Sequence, residues 1–225
     1  MNNQEILKHV DHTQLKAFAS REDIRKLCDE AMRLGTASVC VPPCYIRWIR
    51  ENYPDLTICT VVGFPLGYSV TAAKEEETRQ ALSDGADEVD MVINITDVKN
   101  GDFDAVRSEI ASLRKITEGK ILKVIVETCY LTEEEKIRLC QIVTETGADY
   151  IKTSTGFAGG GATREDVALL KAHIAPHLKI KAAGGIATLE DAEAFLALGA
   201  DRLGTSRLVK LARQMQEEEN HGDAS

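Results

Sequence analysis

Residues 131–154, LTEEEKIRLCQIVTETG followed by ADYIKTS, decide the fold. A long helical segment stops at Gly147, and a short apolar run starts at once. The Gly-Ala-Asp at this junction, 147–149, recurs at 85–87 and 199–201. At each place glycine ends a helix in the left-handed conformation and a strand follows directly.

The same alternation extends in both directions. Strand candidates are VDHT (10–13), ASVCV (37–41), LTICTVVGF (56–64), ADEVDMVIN (86–94), KILKVIVE (120–127), ADYIKTS (148–154), LKIKAAGG (178–185) and ADRLGTS (200–206). Helical segments separate them; the first opens on the capping signal Ser20-Arg-Glu-Asp and stops at Gly35. Repeated βα units imply parallel strands joined by right-handed crossovers. Eight such units in this length predict a single-domain α/β fold, a (β/α)8 TIM barrel over residues 1–214. Residues 215–225 are polar and acidic and read as a frayed tail. An open doubly wound sheet, the alternative, should carry a Gly-rich dinucleotide loop after its first strand, and the sequence has none there.

Composition narrows the function. The 225 residues are 44% hydrophobic and 28% charged, with a net charge of −9. That acidity argues against nucleic acid or an anionic membrane surface as partner. The N-terminal segment MNNQEILKHVDHT lacks the basic start and apolar run of a signal peptide, and no stretch approaches the ~18 apolar residues of a membrane span. Six scattered cysteines without Cys-x-x-Cys spacing predict a reducing cytoplasm, no disulfides and no zinc cluster. The five histidines show no metal-ligand spacing.

Side chains alternate along a strand, so parity separates the helix-facing set from the barrel-facing set. Val89, Met91 and Ile93 oppose Glu88, Asp90 and Val92. Leu122, Val124 and Val126 oppose Lys123, Ile125 and Glu127. Ile151 opposes Tyr150 and Lys152, and Ile180 and Ala182 oppose Lys179 and Lys181. The apolar set must pack on helices, so the charged set points inward. Glu88 and Lys179 are expected at strand starts near bulk water. Asp90, Lys152 and Lys181 fall nearer the C-terminal mouth, where barrel active sites lie. These three are read as catalytic; a structural ion-pair network is the competing reading.

Neighbouring strands lie ~4.8 Å apart, so Lys181 can bring a like charge close to Lys152. Burial and that charge favour a neutral amine, which attacks carbonyls to form a Schiff base. Asp90 is the candidate for proton transfer, through a water, with Lys181 as its electrostatic partner. This is Schiff-base aldolase chemistry, with no metal and no separate cofactor. Glycines after strand 7 (Gly184, Gly185) and the segment Gly204-Thr205-Ser206 after strand 8 suggest a phosphate site. The glycines alone are as well explained by a tight turn. Cys40 has inward parity and either borders the donor pocket or is a plain buried thiol.

With these residues assembled, the chain resembles the deoxyribose-phosphate aldolase family. The resemblance rests on VDHT, SVCVPP, VVGFPLG, EVDMVIN, KVIVET, IKTSTGF, KAAGGI and LGTS in that order. It implies reversible cleavage of 2-deoxy-D-ribose 5-phosphate to glyceraldehyde 3-phosphate and acetaldehyde, with Lys152 as nucleophile and Asp90 and Lys181 in proton transfer. It also implies Asp11 and Thr13 near the substrate's polar groups, and Gly184, Gly185, Gly204, Thr205 and Ser206 around the phosphate. A homodimer acting on a small phosphorylated sugar follows from the same resemblance. Some family members carry a lysine where this chain has Phe157, which implies a phosphate site leaning on backbone N–H groups and hydroxyls. Three rivals stand beside it: a Schiff-base aldolase or transaldolase for a larger ketose phosphate, an isomerase or epimerase using Asp90 and Glu127, and an inactive phosphate-binding barrel.

Overall fold

The capping signal at Ser20 forms as read. In the computed structural model, which describes residues 2–212, Ser20 Oγ accepts from Asp23 N at 3.2 Å. Ser20 N in turn donates to Asp23 Oδ2 at 2.8 Å. The helix so opened spans Arg21–Leu34 and ends on Gly35, whose φ of 67° is left-handed.

Eight parallel strands follow the expected order: β1 (Val10–Thr13), β2 (Ser38–Val41), β3 (Ile58–Val62), β4 (Glu88–Val92), β5 (Ile121–Ile125), β6 (Tyr150–Lys152), β7 (Lys179–Ala183) and β8 (Arg202–Thr205). Each pairs with the next in sequence, and β8 pairs with β1, which closes the barrel. The helices are α1 (Asn3–Leu7), α2 (Arg21–Leu34), α3 (Ile46–Asn52), α4 (Thr71–Asp84), α5 (Ile95–Lys99), α6 (Phe103–Ile116), α7 (Glu133–Glu145), α8 (Arg164–His173) and α9 (Leu189–Ala197), with residues 207–212 also helical. Among the described residues no helix is long and apolar enough to cross a membrane. The tail expected at 215–225 lies outside the described residues.

The three Gly-Ala-Asp junctions do more than stop helices. Each aspartate clips the floor of the barrel by accepting the backbone N–H at the start of the preceding strand. Asp87 takes Ile58 N at 3.1 Å, Asp149 takes Leu122 N at 2.8 Å, and Asp201 takes Ile180 N at 3.0 Å. The backbone N–H of each aspartate returns a bond to the carbonyl of the same residue. The repeat therefore ties β4, β6 and β8 to β3, β5 and β7 at the end away from the mouth.

Parity sorts the core as expected. Val89, Met91, Leu122, Val124, Ile151, Ile180 and Ala182 are fully buried in one cluster between barrel and helices. Each of the larger of these side chains contributes about 1.5–3 kcal/mol on burial, so truncating Ile151 to alanine would cost about 2–5 kcal/mol. A second polar element sits inside this layer. Lys74 of α4, fully buried, donates to Glu109 of α6 at 2.7 Å and to the Val92 carbonyl at the end of β4 at 2.9 Å. Burial pushes the Lys74 ammonium down and the Glu109 carboxyl up, so each needs the other.

Candidate active site

Inside the barrel the inward side chains form one connected ionic cluster. Asp90, at the middle of β4, is fully buried and accepts from four donors. Its Oδ2 takes Lys152 Nζ at 2.7 Å and Lys181 Nζ at 2.6 Å. Its Oδ1 takes Lys123 Nζ at 2.8 Å and Cys59 Sγ at 3.1 Å. Lys181 also meets Asp11 Oδ2 at 2.5 Å, and Lys123 meets Glu88 Oε2 at 2.6 Å. Arg202 bonds Asp11 and reaches Glu88 Oε1 at 2.7 Å. Four basic groups thus face three carboxylates, which leaves one base in excess.

Electrostatics separates the members. Burial by itself would raise the Asp90 carboxyl, but Lys123, Lys152 and Lys181 outweigh it and hold the group well below the usual carboxylate range. Burial would lower Lys181, but Asp11 and Asp90 prevail and raise it. Lys123 is raised well above the ordinary lysine value, against burial, by Asp90, Cys59, Asp11 and Glu88. Lys181 and Lys123 are therefore fixed cations. Lys152 has a single carboxylate contact and opens upward.

Above it lies a cavity of about 470 Å³ lined by Lys152 and by the segments that follow β1, β6, β7 and β8. Gly184, Gly185, Gly204, Thr205, Ser206 and Thr13 all line it, so the structure gathers Lys152 and the expected phosphate residues around one space. The segment after β6 is laid directly on the turn after β7: a Cβ on Gly161 would meet the Gly184 carbonyl at 2.6 Å. Thr205 is occupied, donating to the Ile186 carbonyl at 3.0 Å and accepting from Arg207 N at 3.1 Å, so its hydroxyl braces the rim. Thr13 donates to the Asp11 carbonyl at 2.8 Å.

Two placements differ from expectation. Asp11, expected beside the substrate, is fully buried below the cavity between Lys181, Arg202 and Ser38. Glu88, expected near bulk water, is only 2% exposed because Lys123 and Arg202 draw it inward. Cys40, read as either a pocket-bordering or a plain buried thiol, is buried opposite Cys59 in strand register and is not among the residues lining the cavity; the Cys59 thiol's hydrogen bond and the nearby lysines lower it against burial. Lys179 is exposed, as expected.

Sequence reasoning placed Lys123 inward but gave it no role, and it passed over Arg202, Cys59, Lys16 and Arg207. Another contributor is Glu127, a buried non-glycine residue at φ 54°. Its carboxylate accepts from Thr155 N at 3.2 Å and Thr155 Oγ1 at 2.5 Å, which fixes the segment after Lys152. Such a strained backbone is retained where the surroundings hold it.

Two trios could offer metal ligands, Cys40–Cys59–Asp90 and Asp11–Cys59–Glu88. Both carry carboxylates already bound by ammonium groups, in a cluster with a surplus of bases, so a divalent cation would meet repulsion there.

Fold and site together define a (β/α)8 barrel with a lysine above a buried carboxylate–ammonium cluster, at the foot of a cation-lined cavity. The model of the DeoC/LacD family aldolases matches residues 6–208, and the chain belongs to that family. It is 63% identical over 214 residues to a deoxyribose-phosphate aldolase of Clostridium botulinum, covering 95% of this chain and 97% of that one. It is 54% identical over 209 residues to one from Clostridioides difficile, covering 92% and 95%. Among solved structures, the tetrameric deoxyribose phosphate aldolase from Aeropyrum pernix superposes with a TM-score of 0.88 at 30% identity, covering 96% of this chain and 92% of that one.

Proposed function

We propose that this chain is a Schiff-base aldolase that reversibly cleaves 2-deoxy-D-ribose 5-phosphate to D-glyceraldehyde 3-phosphate and acetaldehyde. One observation carries the assignment of its nucleophile: Lys152 alone among the cluster's bases also lines the cavity. Family membership and the named relatives support the reaction.

In this reading the free amine of Lys152 adds to the C1 aldehyde, and loss of water gives an iminium. Its nitrogen then gives up its contact with Asp90 Oδ2, which leaves that lone pair to a water. The water takes the proton of the C3 hydroxyl as the C2–C3 bond breaks and its electrons pass into the iminium. Glyceraldehyde 3-phosphate departs from the resulting enamine. Lys181, beside the same oxygen, fixes the charge of Asp90 while a proton returns to C2 through that water. Hydrolysis of the iminium then releases acetaldehyde and regenerates the amine. No step calls for a metal or a separate cofactor.

Incubation with acetaldehyde, borohydride reduction and peptide mass mapping tests this. The expected result is a single ethyl adduct on Lys152, lost in Lys152→Leu together with retro-aldol activity. An adduct on Lys181 instead, or none at all, overturns the reading. We also propose that the protein is a homodimer of the cytoplasm. Six unpaired cysteines suit a reducing compartment, and light scattering distinguishes a dimer from the tetramer of the Aeropyrum pernix relative.

A further inference from the structure

The cavity above Lys152 has an unusual charge for this protein. The chain as a whole carries −9, yet among the described residues no carboxylate lines the cavity, whereas three cations do: Lys152, Lys16 and Arg207. Lys152 sits at the floor on Asp90. Lys16, in the segment after β1, and Arg207, immediately after Ser206, stand exposed on the rim. Neither forms an ion pair with a described residue; Lys16 Nζ lies 5.6 Å from the Phe18 ring. Two cations that pair with no described residue, facing one space in an otherwise anionic molecule, favour a ligand that is itself strongly anionic.

Arg207 is the better placed of the two. Its N–H bonds Thr205 Oγ1 at 3.1 Å, and that hydroxyl donates to the Ile186 carbonyl at 3.0 Å. The base of the arginine is thereby tied to the turns after both β7 and β8, beside Gly184, Gly185 and Gly204. Phe157 also lines the cavity, packed edge-on against Phe64 with ring centroids 5.2 Å apart. Its ring offers the ligand no charge.

Resting on the reaction proposed above, we propose that Arg207 is the residue that sets preference for the phosphorylated sugar. Its guanidinium is the phosphate's main counter-charge, with Lys16 in a lesser share. A planar fork matches two phosphate oxygens at once, which a lysine cannot do. The cation is thus supplied from the segment after β8, while position 157 contributes an apolar ring.

The test compares kcat/KM for 2-deoxyribose 5-phosphate with kcat/KM for unphosphorylated 2-deoxyribose. Retro-aldol activity and the Lys152 adduct are first established in the parent protein, so failure of the underlying reaction is seen separately. Arg207→Leu is expected to lower the ratio by about tenfold or more, through KM for the phosphorylated sugar. Inhibition by inorganic phosphate should weaken in parallel. Arg207→Lys should keep a larger share of the ratio, and Lys16→Met should lower it less than Arg207→Leu does. An unchanged ratio in Arg207→Leu overturns the proposal, as does an equal loss in Arg207→Lys and Arg207→Leu.

Discussion

Replacing Lys123 with methionine tests the buried network at the residue that the sequence left without a role. The change keeps an unbranched chain of similar length but deletes the ammonium that holds Asp90 Oδ1 at 2.8 Å and Glu88 Oε2 at 2.6 Å. Removing one partner of a buried pair costs about 3–5 kcal/mol. Glu88 keeps Arg202, and Asp90 keeps Lys152 and Lys181, so the lower end, about 3 kcal/mol, is expected. In a protein of this size each kcal/mol moves Tm by about 2–4 °C, which gives a fall of about 6–12 °C. Thermal melts followed by circular dichroism at pH 7 read this directly. The sign of the pH dependence follows from the raised value of Lys123. Its contribution is fully present below the unfolded lysine value, about 10.4, and is lost only as pH rises through the folded one. The gap between parent and variant should therefore stay constant from about pH 6 to about pH 9. A variant melting within about 2 °C of the parent would refute the idea that this ammonium organises the interior.

Asp90→Asn leaves four bases facing two carboxylates and should slow retro-aldol cleavage by about 10²–10⁴-fold in a steady-state assay. Because the Asp90 carboxyl is depressed, its stabilisation is present above about pH 3.9 and disappears only as pH falls through the folded value. Urea midpoints should show the parent's advantage persisting to about pH 4, and closure of the gap already at about pH 5 contradicts the assignment. Lys74→Met strands the buried Glu109 carboxylate and should cost about 3–5 kcal/mol at pH 8 by urea unfolding. Burial already raises Glu109, so lowering the pH neutralises it and relieves part of that loss. The double change Lys74→Met with Glu109→Leu should recover stability; no recovery would mean that the pair does more than satisfy itself.

Most of the fold was legible because each βα unit announces itself locally. The runs around 88–92, 121–125 and 179–183 became strands with ends within a residue or two of the reading. The short helices α1 and α5, five residues each, went unread because a single turn or so leaves no periodicity to detect. Parity gave the direction of Asp90, Lys152 and Lys181 correctly, since strand alternation is a local property. It could not give depth. Glu88 sits at a strand start and still lies inside, because Lys123 and Arg202 come from strands distant in the chain. Asp11 is held away from the cavity for the same reason. Arg207 was missed because it follows the motif rather than belonging to it.

The distribution of charge along the chain has one more consequence. Asp11, Glu88 and Asp90 all belong to the first four strands, and Lys123, Lys152, Lys181 and Arg202 all belong to the last four. The charged interior of the barrel is thus divided into two halves of opposite sign. Neither could seal against a copy of itself without burying like charges face to face, whereas the two halves of one chain attract across a space that salt scarcely screens. The ions around the lysine thus also act as a pairing code, telling each half of the barrel which surface completes it.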